Sequence, residues 1–531
     1  MNTGKEHSRQ NILLRHAAGI LFSAVYLTMA AILNLQFLDG SNINTIIAGH
    51  DEYIAVREVY SLVNPVSWKH FLLAFIAGDV IYYGRIMFYM DALFAFIPFK
   101  IWGVAGMVYT VRMLHSVYLV TALVILSNVF LREKYQKALF LIGSGVVYYS
   151  LYFLMMPKPE PLQLLVFSIF LYYFKNRNWS FGIHFILLGI AFGLKFNFLV
   201  VLPLAFLSPF FRKGQAFRET VIPAIKSFGY FLLGLLIAIP CLLLSPLKPV
   251  YLRTYIHETF KGTGKSYDNA DITVFDWLKD GFGGYYSGHW ILGYVLLALV
   301  FVITYFQLRK FRYNHDISVL FLLASGLALT FSIMVTTKRI WPHYIWTGYV
   351  LMLLGIIVFA SQQTSLKSRR IYFSLISFLM AVTLVFFVKR DLPVYAGLER
   401  APEIVADKQQ TRAALQYIKT RYPGARVAAD ESLQYLFSDF VKANPYHPFS
   451  TEMPFSGETT IVWYGDHPED IWSQKNDLVV LYKNNPSKGF RRPIDAAASE
   501  KLKKLYSEQV GTNYTRDTVL GKVEIFRRAA K

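Results

Sequence analysis

Charged side chains are sparse in this sequence, its apolar stretches are almost free of Asp and Glu, and two short strings between those stretches carry acids. His50, Asp51 and Glu52 stand together in GHDEY, and Lys158 and Glu160 share MMPKPEP. A carboxylate can take a proton from an incoming hydroxyl or amine when it lies within hydrogen-bond reach. If the two strings meet at one cleft they suit such chemistry; if they do not, they are solvated loops, and the residues alone leave both open. The cations form a second set: Lys195 in GLKFNF, Lys338, Arg339 and His343 in TTKRIWPHY, Arg57, and Arg85 directly after Tyr82-Tyr83-Gly84. Cations beside aromatic rings at a membrane interface suit a phosphate headgroup. Lys and Arg at helix ends can equally snorkel towards water or anionic lipid.

The elements that must position these strings are apolar helices. Hydrophobic residues make up 54% of the 531-residue chain and charged residues 17%, against about 25% charged in ordinary soluble domains. A disordered chain, a coiled coil and a cytosolic enzyme are thereby excluded. With one cysteine, Cys241, there is no disulfide framework and no cysteine-based metal centre. A bilayer span needs about 20 apolar residues. Leu13–Leu38, Val104–Leu131, Ala138–Met156, Val221–Leu244, Ile291–Leu308, Val319–Met334, Tyr344–Ala360 and Ile371–Val388 qualify. Leu162–Phe174, Phe181–Leu194 and Phe196–Leu207 look like short or tilted spans, giving about eleven in all. The first is too long for a cleaved signal core and reads as an anchor.

The net charge of +20 could suggest nucleic acid, but the basic residues recur in alternate connections. Lys5 and Arg9, then Arg132, Lys134 and Lys137, Lys175 and Arg177, Arg212, Lys213 and Arg218, Arg309, Lys310 and Arg312, and Lys367, Arg369 and Arg370 all fall on one side. That is the positive-inside pattern, so the charge marks topology and membrane lipids, and no nucleic-acid partner is expected. The N-terminus is then cytoplasmic, in a multi-pass protein of the cell inner (plasma) membrane. Residues 1–390 form the transmembrane part. Its first outer loop, 39–103, is long, and its apolar stretch Arg85–Trp102, interrupted by Asp91, Pro98 and Lys100, reads as interfacial helices. A second outer loop, 246–289, is a possible lid. Residues 391–531 form a soluble extracytoplasmic, periplasmic tail, with helical spacing at Arg412–Arg421 and strands at Arg426–Ala429, Thr460–Tyr464, Asp477–Tyr482 and Val523–Arg527. This alternation predicts a small α/β domain.

Other matches fail on context. Gly264-Lys265-Ser266 ends like a phosphate-binding loop, but Thr259 stands where the leading glycine belongs. Gly281, Gly283 and Gly284 make no dinucleotide fingerprint, and there is no HExxH string.

In order along the chain, HDEY follows the first apolar span, interfacial helices come next, and Arg112 in YTVRMLHSVYLV precedes a basic turn. PKPEPL and then GLKFNFLVVLP follow. This order, over roughly residues 10–390, resembles the GT-C superfamily of integral membrane glycosyltransferases, in particular the protein O-mannosyltransferase and aminoarabinose-transferase-like group. The resemblance implies an inverting transfer of a sugar from a polyprenyl-phosphate donor to a glycan, lipid or protein acceptor on the outer face. Asp51 then corresponds to the base that acts on the acceptor, and Glu52 to the second acid of the DE pair. Glu160 takes the place of the second-loop acid, where Asp is commoner. Lys195 corresponds to the basic residue of a GLxxLTKY-like stretch, and Arg339 and Pro342 to an RxxxP-like stretch near the donor phosphate. Tyr82, Tyr83 and Arg85 correspond to an aromatic and basic first-loop site, although the proline pair usual before the tyrosines is absent.

The resemblance implies no cofactor. A divalent metal held by the acids of the two loops is the alternative, and it would go with a pyrophosphate donor and a glycan ligase or polymerase. A lipid or sugar transporter is a further reading, but the chain lacks the internal repeat and midplane acids that transporters commonly have. A non-catalytic scaffold leaves the ordered acid and base strings unexplained.

Overall fold

The computed structural model describes residues 3–35, 38–39, 44–45, 50–65, 67–76, 83–211, 217–244, 246–247, 249, 252–253, 256, 273–279, 290–310, 317–336, 342–391, 409–410, 413–414, 416–430, 452–455, 459–464, 471–472, 476–482 and 504–529. They fall into two compact units. The first takes Met1–Asn34, Phe75–Asp91 and Val111–Ala396; the second takes Leu35–Ala74, Ala92–Thr110 and Gly397–Lys531.

The first unit is helical. Its elements are α1 (Thr3–Leu35), the two ends of α4 (Arg85–Phe130), α5 (Lys134–Gly145), α6 (Tyr148–Met155), α7 (Pro159–Asn176), α8 (Phe185–Leu194), α9 (Leu202–Leu207), α10 (Phe217–Ala238), α11 (Trp290–Lys310), α12 (Ser318–Thr336), α13 (Trp346–Ser361) and α14 (Leu366–Phe386). Among the described residues, five helical stretches are long and apolar enough to cross a bilayer: His16–Leu35, Arg85–Phe130, Glu219–Ala238, Ser318–Val335 and Leu366–Lys389. Leu21, Ile225 and Phe378 on these helices remain exposed, a surface suited to acyl chains. At the centre, α13 is buried from Trp346 to Ala360.

Glycines set the closest helix approaches. A Cβ at Gly189 of α8 would stand 2.0 Å from Phe231 O of α10, and one at Gly234 would stand 2.0 Å from Ile186 O. Only a side chain of hydrogen permits that backbone contact. Gly326 of α12 and Gly348 of α13 make a similar crossing, each with the other's carbonyl oxygen within 3 Å of a built Cβ.

Helix α4 departs from a straight rod. If straight, its 24-residue step from Asp91 to His115 would span about 36 Å at about 1.5 Å per residue, yet Asp91 Oδ2 lies 3.0 Å from His115 Nε2. Midway sits Gly103, at φ 65 and ψ −150, a conformation open essentially to glycine alone. The chain therefore doubles back there as a helical hairpin. The region that the sequence divides into interfacial helices and a second span is helical on both sides of this corner.

Two apolar stretches are also less regular than their hydropathy suggests. Ala138–Met156 is not one helix: α5 ends at Gly145 and α6 begins at Tyr148. Gly143-Ser144-Gly145 is a weak helix former, and Ser150 Oγ donates to Gly145 O and Val147 O at the break. Phe196–Leu207 is a 3-10 turn, Phe196–Val201, running into α9. Within the loop 246–289, residues 257–272 and 280–289 lie outside the described set. Trp277, after a one-turn helix capped by Thr273, is buried in the apolar core.

In the second unit, α2 (His50–Val63), α3 (Trp68–Ile76) and the strand pair β1–β2 (Leu38–Asp39, Asn44–Thr45) belong to the segments between α1 and α4. The tail carries a six-stranded sheet in the order β4-β5-β3-β6-β8-β7. Its strands are β3 (Arg426–Asp430), β4 (Glu452–Phe455), β5 (Thr459–Tyr464), β6 (Leu478–Tyr482), β7 (Tyr514–Leu520) and β8 (Val523–Arg528). The central β5-β3-β6 run is parallel and the flanking pairs are antiparallel. Ala428, Ile471, Trp472, Val479, Leu481, Tyr514 and Phe526 form its core. The four strands read from the sequence are β3, β5, β6 and β8.

Candidate active site

The string Pro157-Lys158-Pro159-Glu160-Pro161 folds as the entry to α7. Pro159 holds Lys158 extended, at φ −137 and ψ 151, and itself takes the first helical position, where no N–H is needed. Glu160 therefore lies in the first turn, where the helix dipole favours a negative charge. It is fully buried. Its Oε1 accepts from Lys195 Nζ in an ion pair, while Oε2 has no hydrogen-bond partner among the described residues. A buried carboxylate oxygen without a partner is costly, and it is an acceptor ready for a hydroxyl or amine proton.

Lys195 is brought to Glu160 by the packing of α7 against α8. The residue ends α8 in an extended conformation, φ −158 and ψ 131. Gln163, one turn beyond Glu160, donates from Nε2 to Ala191 O at 2.7 Å and to Lys195 O at 2.8 Å, which locks the two strings in register. On the other side, Gly84 N–H donates to Leu194 O at 3.4 Å. A Cβ at Gly84 would stand 2.8 Å from Gly193 O and 2.9 Å from Leu194 Cα. Arg85, the next residue, is buried with its guanidinium 4.9 Å from the Phe88 ring centroid. The ammonium of Lys195 lies 3.9 Å from the centroid of Tyr344, a cation–π contact, and its side chain keeps 14% exposure.

Next to Tyr344, His343 is buried and stacks on Tyr152, with ring centroids 5.3 Å apart at 22°. Burial pushes its imidazole well below the usual histidine range, and the ammonium charges of Lys158 and Lys195 push in the same direction. It is a neutral ring beside two cations. Two ammonium groups, those of Lys158 and Lys195, thus lie near the His343 ring, with the Glu160 carboxylate paired to the second of them.

Behind this cluster, Asp91 and His115 are both buried and joined at 3.0 Å. His115 Nδ1 lies 3.1 Å from the Lys158 nitrogen and 2.8 Å from its carbonyl oxygen. Tyr118 OH donates to Asp91 Oδ1 at 3.4 Å.

Of the residues singled out in the sequence, the structure brings together Glu160, Lys195 and His343 and pins the start of α4, with Arg85, beside Leu194. Tyr83 is half-buried just before Arg85. Asp51 and Glu52 lie in the first turn of α2 with Arg57 further along; α2 belongs to the second unit, and the side chains of Asp51 and Glu52 lie outside the described residues. Tyr82, Lys338 and Arg339 lie outside them as well. Among the described residues no three His, Cys, Asp or Glu side chains converge as metal ligands would. Read from the sequence, Tyr344, Gln163 and His115 have no place in the site, and Asp91 is marked only as an interruption of the apolar stretch Arg85–Trp102. Tyr344 follows His343 directly; the others reveal themselves only through contacts distant in sequence.

No family model matches the sequence, and no curated protein does. Solved structures do match. ArnT from Cupriavidus metallidurans bound to undecaprenyl phosphate aligns with a TM-score of 0.51 at 12% identity, over 97% of this chain and 98% of that one. ArnT from the same organism in the apo state aligns with a TM-score of 0.50 at 11% identity, over 96% and 97%. The chain thus shares its fold with ArnT over nearly its whole length.

Proposed function

We propose that this protein is an integral membrane glycosyltransferase that moves a sugar from a polyprenyl-phosphate carrier to an acceptor on the extracytoplasmic face. The observation that carries this reading is the buried Glu160–Lys195 pair, with one carboxylate oxygen unengaged among the described residues and a lysine that stays partly open under Tyr344. The fold, shared over nearly the whole chain with a protein solved on undecaprenyl phosphate, supports the same reading.

The reaction needs few parts. The acceptor oxygen or nitrogen attacks the anomeric carbon from the face opposite the phosphate, so the bond to the phosphate oxygen breaks and the configuration inverts. Asp51, on the first outer loop, takes the acceptor's proton, with Glu52 beside it in sequence. Polyprenyl phosphate leaves with the bond's electron pair, and Lys195, Arg85 and the cations of the TTKRIWPHY string stabilise its growing charge. Glu160 orients Lys195 in the resting site and offers Oε2 to a sugar or acceptor hydroxyl. This reading places the N-terminus in the cytoplasm and the sheet of the tail outside, and it calls for no metal or cofactor. The test is transfer by the purified protein from a panel of polyprenyl-phosphate sugars in the presence of EDTA. Transfer that survives chelation supports the monophosphate reading; transfer that requires a divalent ion and a pyrophosphate donor replaces it with a ligase or polymerase. If Lys195→Ala leaves undecaprenyl phosphate binding unchanged, the phosphate role of Lys195 fails.

A further inference from the structure

Lys158 has a backbone that needs an anchor. It lies between two prolines, outside any strand and just ahead of the first turn of α7, so its C=O can accept the first bond of the helix while its N–H belongs to no ladder. Buried backbone groups of that kind are satisfied by side chains or water. Here one imidazole reaches both: His115 Nδ1 lies 3.1 Å from the nitrogen and 2.8 Å from the oxygen of Lys158. The ring is itself held at Nε2 by Asp91 Oδ2 at 3.0 Å, and Tyr118 OH holds the other carboxylate oxygen at 3.4 Å. A carboxylate only accepts, so Nε2 carries a proton. In the neutral ring Nδ1 then accepts from the Lys158 N–H; in the imidazolium it donates to the Lys158 carbonyl. Either way the chain entering α7 is tied to the hairpin of α4. Two residues further on stands Glu160, and the Lys158 ammonium is near enough to the His343 ring to act on its charge.

We propose that Asp91 and His115 are a positioning dyad that fixes the Lys158 backbone, and so sets the position of Lys158 and of Glu160 at the proposed donor-phosphate site. Neither touches the transferred group; the dyad acts through Lys158. Asp91 interrupts an otherwise apolar helical stretch because its carboxylate selects the proton position on His115. The proposal rests on the transferase reading and adds two residues to it.

The sequence supplies a direct probe. Between Met156 and Leu162 the chain is Pro-Lys-Pro-Glu-Pro, so only Lys158 and Glu160 carry amide hydrogens there. Hydrogen exchange of that stretch, read by mass spectrometry on the full-length protein in detergent, should show a protected Lys158 amide. His115→Ala should release it, adding one fast-exchanging deuteron there while the C-terminal sheet is unaffected. Asp91→Asn keeps the shape but lets an amide N–H donate to Nε2, which favours the tautomer that cannot accept from Lys158; it should release the same amide. In His115→Asn, Oδ1 stands close to where Nδ1 stood, and protection should return. Binding of undecaprenyl phosphate, the probe ligand, should weaken at least ten-fold in His115→Ala and recover partly in His115→Asn. The proposal is overturned if the wild-type amide exchanges freely, or if its release leaves undecaprenyl phosphate affinity at the wild-type level. Failure of the wild-type protein to bind undecaprenyl phosphate would instead defeat the transferase reading and the proposal with it.

Discussion

The Glu160–Lys195 pair predicts an asymmetric response to losing one partner. Glu160 is fully buried, whereas the Lys195 side chain keeps 14% exposure and a cation–π contact with Tyr344. Lys195→Met leaves a carboxylate in the interior with neither oxygen engaged, and removing one partner of a buried pair costs about 3–5 kcal/mol. Glu160→Gln leaves an ammonium that still reaches solvent and the Tyr344 ring, so its cost is about 1–2 kcal/mol. In the double variant the lysine no longer answers a buried charge, and adding Lys195→Met to Glu160→Gln should cost about 1 kcal/mol more. The coupling is then at least about 2 kcal/mol, well above the scatter of additive sites. Graded SDS unfolding of the four proteins in mixed micelles, followed by tryptophan fluorescence, measures it. Equal costs for the two single variants, or additive costs in the double, would refute the reasoning.

Four further outcomes follow from particular positions. Gly189→Ala puts a methyl group against Phe231 O, where a Cβ would stand 2.0 Å away, and should destabilise by about 1–3 kcal/mol. Gly229→Ala, on the same helix as Phe231 but with nothing within 4 Å of a Cβ, should be neutral or stabilising by up to about 1 kcal/mol. Gly103→Ala meets no atom either, but it forces φ 65 and ψ −150 on an L residue; a cost of about 1–3 kcal/mol in the same unfolding assay would mark the hairpin corner as backbone strain alone. For His343 the folded ring resists protonation while the unfolded one titrates near 6.5. The unfolded state therefore binds more protons below that pH, and stability is present above it and falls on acidification. Between pH 7.5 and 5.5 the wild-type melting temperature should drop more than that of His343→Phe, which keeps the stack on Tyr152; equal drops would contradict the buried, neutral ring.

How much was legible in the sequence depended on the range of the interaction. Helices α1, α10, α11, α12, α13 and α14 follow directly from apolar runs, and the tail's inner strands from theirs. Strands β4 and β7 escaped because edge strands need no apolar alternation: β4 contains Pro454, and β7 reads Tyr-Thr-Arg-Asp-Thr-Val-Leu. The break between α5 and α6 hides in an apolar run because hydropathy does not register three small residues in a row. At the site, Glu160 and Lys195 stand out as charged residues beside apolar spans. Their pairing across 35 positions depends on Gln163 and the α7–α8 packing, which no single string contains. Asp91 looked like an interruption of an interfacial stretch, since its partner His115 comes into reach only when the chain turns back at Gly103.

The most direct test of the central claim is sugar transfer by the purified protein, reconstituted in liposomes with labelled polyprenyl-phosphate sugars. The wild type should transfer label to an outer-face acceptor and release polyprenyl phosphate. Asp51→Asn and Glu160→Gln should each lose about 10²–10⁴-fold in rate while still binding undecaprenyl phosphate. Transfer at the wild-type rate in both variants would contradict the account.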